Sequence, residues 1–256
     1  MSSTQVAGDA AARRWDYSNL AASYDLRVDY SSVLIADILQ ELGLKAGDAA
    51  LDVGAGTGKL TALLRAFGLD VIAIEPNAAM NSLALEKPSL DETLWVAACG
   101  EALPIAARAV RLAAYGSSFN VLETQSALDE CARVLQPRGH WLAVWNHRDL
   151  QDPLQREVEA VLHFHLPNFD YGSRRESPAG VVESHPAFGA ASAYEHRFVA
   201  ELRSDAWMRA WQSHATLQRQ AGPRLATILG DIEALVAGAE RVSVPYFTRA
   251  WSARRI

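Results

Sequence analysis

Along the first 150 residues, short apolar runs alternate with segments whose apolar residues recur at helical spacing. "SSVLIADILQELGL" (31–44) predicts an amphipathic helix with serines placed to cap its start. "KAGD" reads as a turn, and "AALDVG" as a short buried strand running into a glycine-rich loop. "KLTALLRAFG" predicts a helix stopped by Gly68, and "DVIAIE" a second strand followed by the helix opener Pro76-Asn77. "LWVAA" and "RLAAYG" predict a third and a fourth strand. "ALDECARVLQPRG" has the form of a helix ended by Pro137 and Gly139, before a fifth strand "HWLAVWN".

Beyond residue 150 the pattern changes. "LQREVEAVLHFHL" is helical, "PNFDYGSRRESPAG" is polar and irregular, and "AYEHRFVAEL" (193–202) and "RVSVPYFTRAW" (241–251) alternate like strands. Between them "DAWMRAWQSHATLQRQ" and "PRLATILGDIEALVAG" predict two helices. Strands alternating with helices imply an α/β fold: a doubly wound, Rossmann-like, seven-stranded, mostly parallel sheet, with a helical lid inserted around the last strands. Its ligand site is expected beyond the carboxyl ends of the strands, where the strand order reverses. Residues 1–12 read as a flexible tail and 13–256 as one domain, with a core over 13–150 and the lid plus last two strands over 151–256.

Composition narrows the class. The chain has 256 residues, half of them hydrophobic, enough for a sizeable core. A net charge of −6 argues against a nucleic-acid binder relying on bulk positive charge. No apolar run approaches the roughly 20 residues that cross a bilayer. Arg13-Arg14 is followed by polar sequence, which argues against an export signal. The only cysteines, Cys99 and Cys131, lack metal-ligand spacing and fit a reducing cytoplasm, the expected location. His163 and His165 lie two apart on different sides of a helix, so no metal site is expected.

The glycine loop "LDVGAGTGKLT" (51–61) fails two phosphate-binding patterns. Three residues rather than four separate Gly54 from Gly58, and Leu60 stands where a phosphate loop needs Ser or Thr. Counting from Gly54, the third glycine of a dinucleotide fingerprint falls on Lys59. Glu75, at the end of the second strand, is placed to accept hydrogen bonds from both hydroxyls of a ribose; the alternative is that it merely caps the helix after Pro76.

With "LDVGAGTG", "AIEPN", "GEALP" (100–104) and "ARVLQPRGHWLAVWN" (132–146) in register, the chain resembles a class I S-adenosylmethionine-dependent methyltransferase of the small-molecule, type 11-like kind. The resemblance covers about residues 45–150 and implies S-adenosyl-L-methionine as cofactor, S-adenosyl-L-homocysteine as product, and a ligand with ribose but no phosphate. It implies that Asp52, Gly54, Gly56 and Gly58 line the methionine and ribose end, and that Glu75 holds the ribose hydroxyls. Asn77, Gly100 and Glu101 would lie at the adenine, and Ser117, Ser118 and Phe119 at the sulfonium. "YDLRVDY" resembles a segment that closes over the cofactor, with Arg27 facing its carboxylate. Cys99, Arg111 and Asn120-Val121 depart from residues frequent in the family, which weakens the transfer of any catalytic role. Lys59 is expected to be a solvated helix residue.

Substrate contacts are expected from the lid: Asn146 and Arg148 in "WNHRD", Tyr171, Arg174 and Arg175 in the irregular loop, and Trp211 in the stripe Trp207, Trp211, His214. The bland alternatives are an Arg148–Asp149 ion pair, a solvated loop and a tryptophan-rich lid core. No catalytic residue is evident; His147 and His214 are the candidate bases. Methyl transfer needs mainly alignment, so the lack of a triad is no objection. The expected acceptor is a small anionic or aromatic metabolite offering O, N or S. The alternatives are a non-catalytic cofactor-binding regulator or scaffold, and an RNA or protein methyltransferase; neither nucleic acid nor membrane is an expected partner.

Overall fold

The short apolar runs become the inner strands because both their faces are covered. The computed structural model describes residues 21–256; the expected tail 1–12 and Arg13-Arg14 lie outside the described residues. Strands β1 (Ala49–Val53), β2 (Asp70–Ile74), β3 (Leu94–Val96), β4 (Val110–Gly116) and β5 (Leu135–Arg148) pair in parallel. The late strands β6 (Phe188–Arg203) and β7 (Arg241–Arg255) extend the same sheet, β7 running antiparallel to β5 and β6. The order is β3-β2-β1-β4-β5-β7-β6, so the open α/β fold is the one expected. Strand order reverses between β1 and β4, and a crevice opens at their carboxyl ends.

Helices α1 (Ala21–Asp25), α2 (Ser32–Glu41), α3 (Lys59–Ala66), α4 (Ala78–Leu85) and α5 (Thr124–Val134) accompany the parallel strands. Ser31 caps α2, its hydroxyl accepting the Leu34 N–H at 3.2 Å. Leu34, Ile35, Ile38 and Leu39 then form one apolar stripe, buried with Leu60 and Leu64 of α3 against one face of the sheet. The other face carries Tyr115, Phe119 and Trp141, with Phe119 edge-on to both rings.

The helix expected to end at Pro137 and Gly139 stops at Val134, and Leu135 already pairs with Val110 of β4. Proline disfavours helical geometry at the residue before it and clashes with the carbonyl four residues back, so the helix gives way early. The β4–β5 register shifts between Val110 and Leu112, and Arg138 takes φ +67°.

The lid consists of α6 (Pro153–His165) and α7 (Ala179–Glu183) before β6, and α8 (Ser204–Gln212), α9 (Ala215–Ala221) and α10 (Leu225–Ala234) before β7. It has its own core: Val158, Leu162, Trp207, Trp211, Ile228 and Ile232 pack on Val242 and Val244. The single helix expected over "DAWMRAWQSHATLQRQ" is two. It breaks at Ser213, where the His214 ring accepts the Leu217 N–H and starts α9.

Candidate active site

Strand β1 delivers the chain into the glycine loop at the crevice. Gly54, Gly56 and Gly58 all take positive φ, at +71°, +58° and +81°. Gly54 and Ala55 donate to the Ile74 carbonyl, tying the loop to the end of β2. Glu75 follows at that end, buried, and its two carboxylate oxygens accept the Gly56 and Asn77 N–H groups, each at 2.8 Å. The carboxylate is therefore braced between loop and α4, with lone pairs left on both oxygens. Burial raises its pKa, against the lowering effect of those two N–H donors.

The three glycines have different jobs. A side chain on Gly54 would press a Cβ to 2.5 Å from Ser118 Cβ, and on Gly58 to 2.4 Å from Leu90 Cδ1. At Gly56 the nearest atom would be Tyr24 Cε1 at 3.9 Å, so this glycine faces open space. Gly58 thus turns into α3 under Leu90 and Trp95 and does not line the cleft. Gly54→Ala is expected to destabilise the chain by about 2–3 kcal/mol, and Gly56→Ala by only about 1 kcal/mol for its backbone conformation. Urea midpoints of the two variants check the order.

Asp52, one residue before the end of β1, is completely buried. Thr61 of α3 donates its hydroxyl to Oδ2 at 2.6 Å, while Oδ1 has no partner among the described residues. Burial pushes the Asp52 carboxyl up to about 7; the Thr61 bonds oppose this, and the Glu75 charge adds to it. A hollow between Asp52 and the loop is bounded by Tyr24, Tyr30 and Gly116.

The cleft beyond Glu75 is walled by Gly54, Gly56, Met80, Cys99, Gly100, Glu101, Ser117 and Leu122. Glu101 accepts the Glu123 N–H through Oε1 at 2.9 Å, and its Oε2 is buried without a partner among the described residues. Cys99 has its thiol pKa raised, first by burial and then by Glu101 and Glu75. Asn77 spends its side-chain oxygen capping α4 through the Ala79 and Met80 N–H groups. Ser117 takes φ +57° and pairs its hydroxyl with that of Tyr30 at 2.9 Å. Phe119 turns away from the cleft into the core, where Tyr115 and Trp141 give its ring a dry surface.

A second cavity adjoins the first across Ser117 and Tyr24, which border both. Its wall carries Arg27, Arg148, Arg174 and Arg175, with His147, Tyr171, His214 and Tyr246. The Arg148 guanidinium lies 4.0 Å over the Trp211 ring and that of Arg175 lies 4.8 Å over Tyr171. Arg175 also donates to the Arg148 carbonyl at 3.0 Å, and burial lowers its pKa. Tyr171 donates its hydroxyl to Glu159. Trp211 itself is buried in the lid core and serves as a platform rather than a wall.

Both candidate histidines are held neutral. His147 bonds the Arg174 carbonyl through Nε2 at 2.8 Å, so Nε2 carries the proton, and its Nδ1 is buried without a partner among the described residues. Burial, reinforced by the Arg175 charge, pulls its pKa down to about 3. His214 is driven well below its usual range by burial and then by Arg148 and Arg174. Its Nδ1 accepts the Leu217 N–H, which leaves the proton on Nε2.

Asn146 is not free to meet a substrate. Its amide donates to the Val28 and Asp29 carbonyls at 3.0 and 2.9 Å, and its oxygen accepts the Thr248 hydroxyl at 2.6 Å. Thr248 in turn accepts the Ser31 N–H, and the Ser31 hydroxyl pairs with His196 Nδ1 at 2.8 Å. The network latches residues 26–31 across β5, β7 and β6, and this segment carries Arg27 and Tyr30 into the cavity. Asn146→Ala is expected to weaken ligand binding at Tyr30 and Arg27 by about tenfold through loosening of this latch, at a stability cost of about 2 kcal/mol. Faster amide exchange over 26–31 checks it.

Two further positions differ from expectation. Asp149 pairs with Arg197 at 3.0 Å, not with Arg148. Lys59 pairs with Asp29 at 2.6 Å and borders the cavity instead of pointing to solvent. His165 meets Asp231 of α10 at 2.6 Å, while His163 stands nearer Glu159. Among the described residues no group of three potential ligands is placed for a metal ion. Arg111 pairs with Asp48, and Asn120 accepts the Trp145 indole N–H. Tyr24 and Tyr30 were not singled out in the sequence; the aromatic flanks of "YDLRVDY" are the only signal they left there.

A parallel sheet with this strand order, a glycine loop after β1 and a carboxylate ending β2 define a Rossmann-like fold of the class I methyltransferase type. Residues 51–143 match the family described as "Methyltransferase domain". An uncharacterized methyltransferase of Mycobacterium tuberculosis is 34% identical over 117 residues, covering 46% of this chain and 47% of that protein. The ubiquinone/menaquinone biosynthesis C-methyltransferase of Yersinia pestis is 30% identical over 164 residues, 59% of this chain and 65% of that one. The chain thus spans about half the length of the first of these curated relatives. A solved structure from Anaeromyxobacter dehalogenans, provisionally named a type II methyltransferase, shares the fold with a TM-score of 0.62. It is 22% identical and covers 90% of this chain and 97% of its own. Phosphoethanolamine N-methyltransferase 2 of Haemonchus contortus, solved with phosphomonomethylethanolamine and S-adenosylhomocysteine, shares it at 0.53, with 13% identity over 94% of this chain and 58% of that one. The methyltransferase-domain match over residues 51–143 thus sits on a fold of the class I methyltransferase type.

Proposed function

We propose that the chain transfers the methyl group of S-adenosylmethionine to a small anionic acceptor held in the arginine-lined cavity. The observation that carries this is the shared wall: Ser117 and Tyr24 border both the cleft at Glu75 and the cavity of Arg27, Arg148, Arg174 and Arg175. A donor in one chamber and an acceptor in the other meet there. The residues suit the cofactor: a braced carboxylate with free lone pairs for ribose hydroxyls, an open glycine at Gly56, and the unpartnered Asp52 Oδ1 for a cationic group. When bound, S-adenosylmethionine supplies an electrophilic methyl carbon with a good leaving group. The chain's task is alignment and exclusion of water, for which the lid and the latched 26–31 segment are placed. The stacked arginines favour an anion; the two large lid tryptophans are buried in its core, so an aromatic acceptor has less support.

The same reading takes 13–256 as one domain, supported by a sheet that the late strands share. Among the described residues no helix is long and apolar enough to cross a membrane. The test is incubation with methyl-labelled cofactor and a cell extract split into small and large molecules. Label in a small acid supports the proposal; label in RNA or protein overturns the acceptor class, and bound cofactor without transfer favours a regulatory role.

A further inference from the structure

The cavity beside Ser117 offers cations and hydrogen-bond donors but little to take a proton. Neither Arg148 nor Arg175 ion-pairs with a carboxylate among the described residues, and Arg148 Nε is buried with no hydrogen-bond partner. Both guanidiniums are nonetheless fixed, one on Trp211 and one on Tyr171. Two oriented, half-buried cations with no carboxylate in ion-pair contact, Glu159 being taken up by the Tyr171 hydroxyl, form a receptor for a planar anion, and a carboxylate matches the guanidinium fork. The described lining residues include no aspartate or glutamate. The single lone pair of neutral His214 already caps α9, and that of His147 is sealed away from solvent. The Tyr171 hydroxyl gives its hydrogen to Glu159, and Tyr30 is engaged with Ser117.

An ammonium, a phenol, a thiol or a carbon acid must shed a proton before it attacks, and the first of these is also repelled by the arginines. A carboxylate is ionised at neutral pH and needs no base. Resting on the methyltransferase reading above, we infer that the acceptor is a carboxylic acid methylated on a carboxylate oxygen, its product a methyl ester. That oxygen attacks the methyl carbon in line, the O–C bond forming as the C–S bond breaks; the C–S electron pair stays on sulfur and no proton moves. Sulfonium and carboxylate charges cancel, so the ester leaves the arginines with less attraction than the acid had.

The experiment uses the whole chain with methyl-labelled S-adenosylmethionine and a panel of short and medium-length mono- and dicarboxylic acids. Two readouts are taken: whether mild alkali releases the product's label as methanol, and calorimetric binding of the acids without cofactor. The expected result is an alkali-labile product, with Arg148→Met and Arg175→Met weakening acid binding on the order of a hundredfold while cofactor affinity is kept. Arg148→Lys, which keeps charge but not the fork, is expected to fall between; retained cofactor affinity shows that the variants fold. An alkali-stable product, or a panel that neither binds nor accepts methyl while cofactor still binds, overturns the inference. Absence of cofactor binding sinks the methyltransferase reading instead.

Discussion

Replacing Glu75 by alanine is expected to weaken S-adenosylmethionine binding by about a hundredfold, roughly 3 kcal/mol. Two effects add. The carboxylate no longer accepts ribose hydroxyls, and the Gly56 and Asn77 N–H groups lose the acceptor that holds loop and α4 together. Glu75→Gln separates them: its amide oxygen still serves one of the two N–H groups, while its amide nitrogen faces the other with a donor. An intermediate loss of about tenfold is expected for glutamine. Calorimetric titration with the cofactor and with adenosine alone gives the check. Equal affinity in wild type and Glu75→Ala would rule out the ribose role and leave Glu75 as a structural brace.

Cofactor affinity is also expected to rise with pH between 6 and 8, by about tenfold, with uptake of the cofactor releasing up to one proton. Asp52 holds its proton to about pH 7 in the fold, whereas in an unfolded chain it would lose it near pH 4. A cation brought to the hollow beside it favours the charged form, so binding and deprotonation are coupled. The same group makes the stability of the free protein depend on pH. Between about pH 4 and pH 7 the folded state binds more protons than the unfolded state, so the Asp52 contribution is full below that window. It is lost as pH rises through about 7, at a cost of about 2–4 kcal/mol. Glu75, whose pKa is also raised, acts in the same direction, with Tyr24, Tyr30 and Lys59 the other titratable residues lining the hollow. Asp52→Asn isolates the first carboxyl: it should flatten both the binding and the stability profiles over pH 6–8. Unchanged profiles in that variant would assign the proton elsewhere.

Much of the cleft at the glycine loop was legible because its signals are local. Three alternate glycines permit positive φ without steric cost, and a carboxylate at the end of "DVIAIE" is delivered by the strand's own length to the loop beside it. The ends of α2 and α4 were legible for the same reason: Ser31 and Asn77 cap through bonds to residues two or three away. Pro137 misled, since the helix yields three residues before it once β4 offers Leu135 a partner. The arginine-lined cavity was legible in composition but not in arrangement. Asn146 looked like a substrate contact from its place at a strand end, yet its three bonds go to Val28, Asp29 and Thr248, distant in sequence. Phe119 stood beside two serines of the cleft and nevertheless turned inward, because two other rings waited there.

The sequence by itself determined the alternation of strands and helices, the glycine loop, the acidic end of β2 and the absence of phosphate-loop spacing. All of these depend on neighbours within a few residues, where backbone sterics and capping bonds decide. Only the tertiary structure decided that four arginines from three segments share one wall, that both histidines are neutral, and that Ser117 divides the two chambers. Protonation and pairing depend on burial and on charges contributed by remote strands and lid helices. These are set only when the chain has closed on itself.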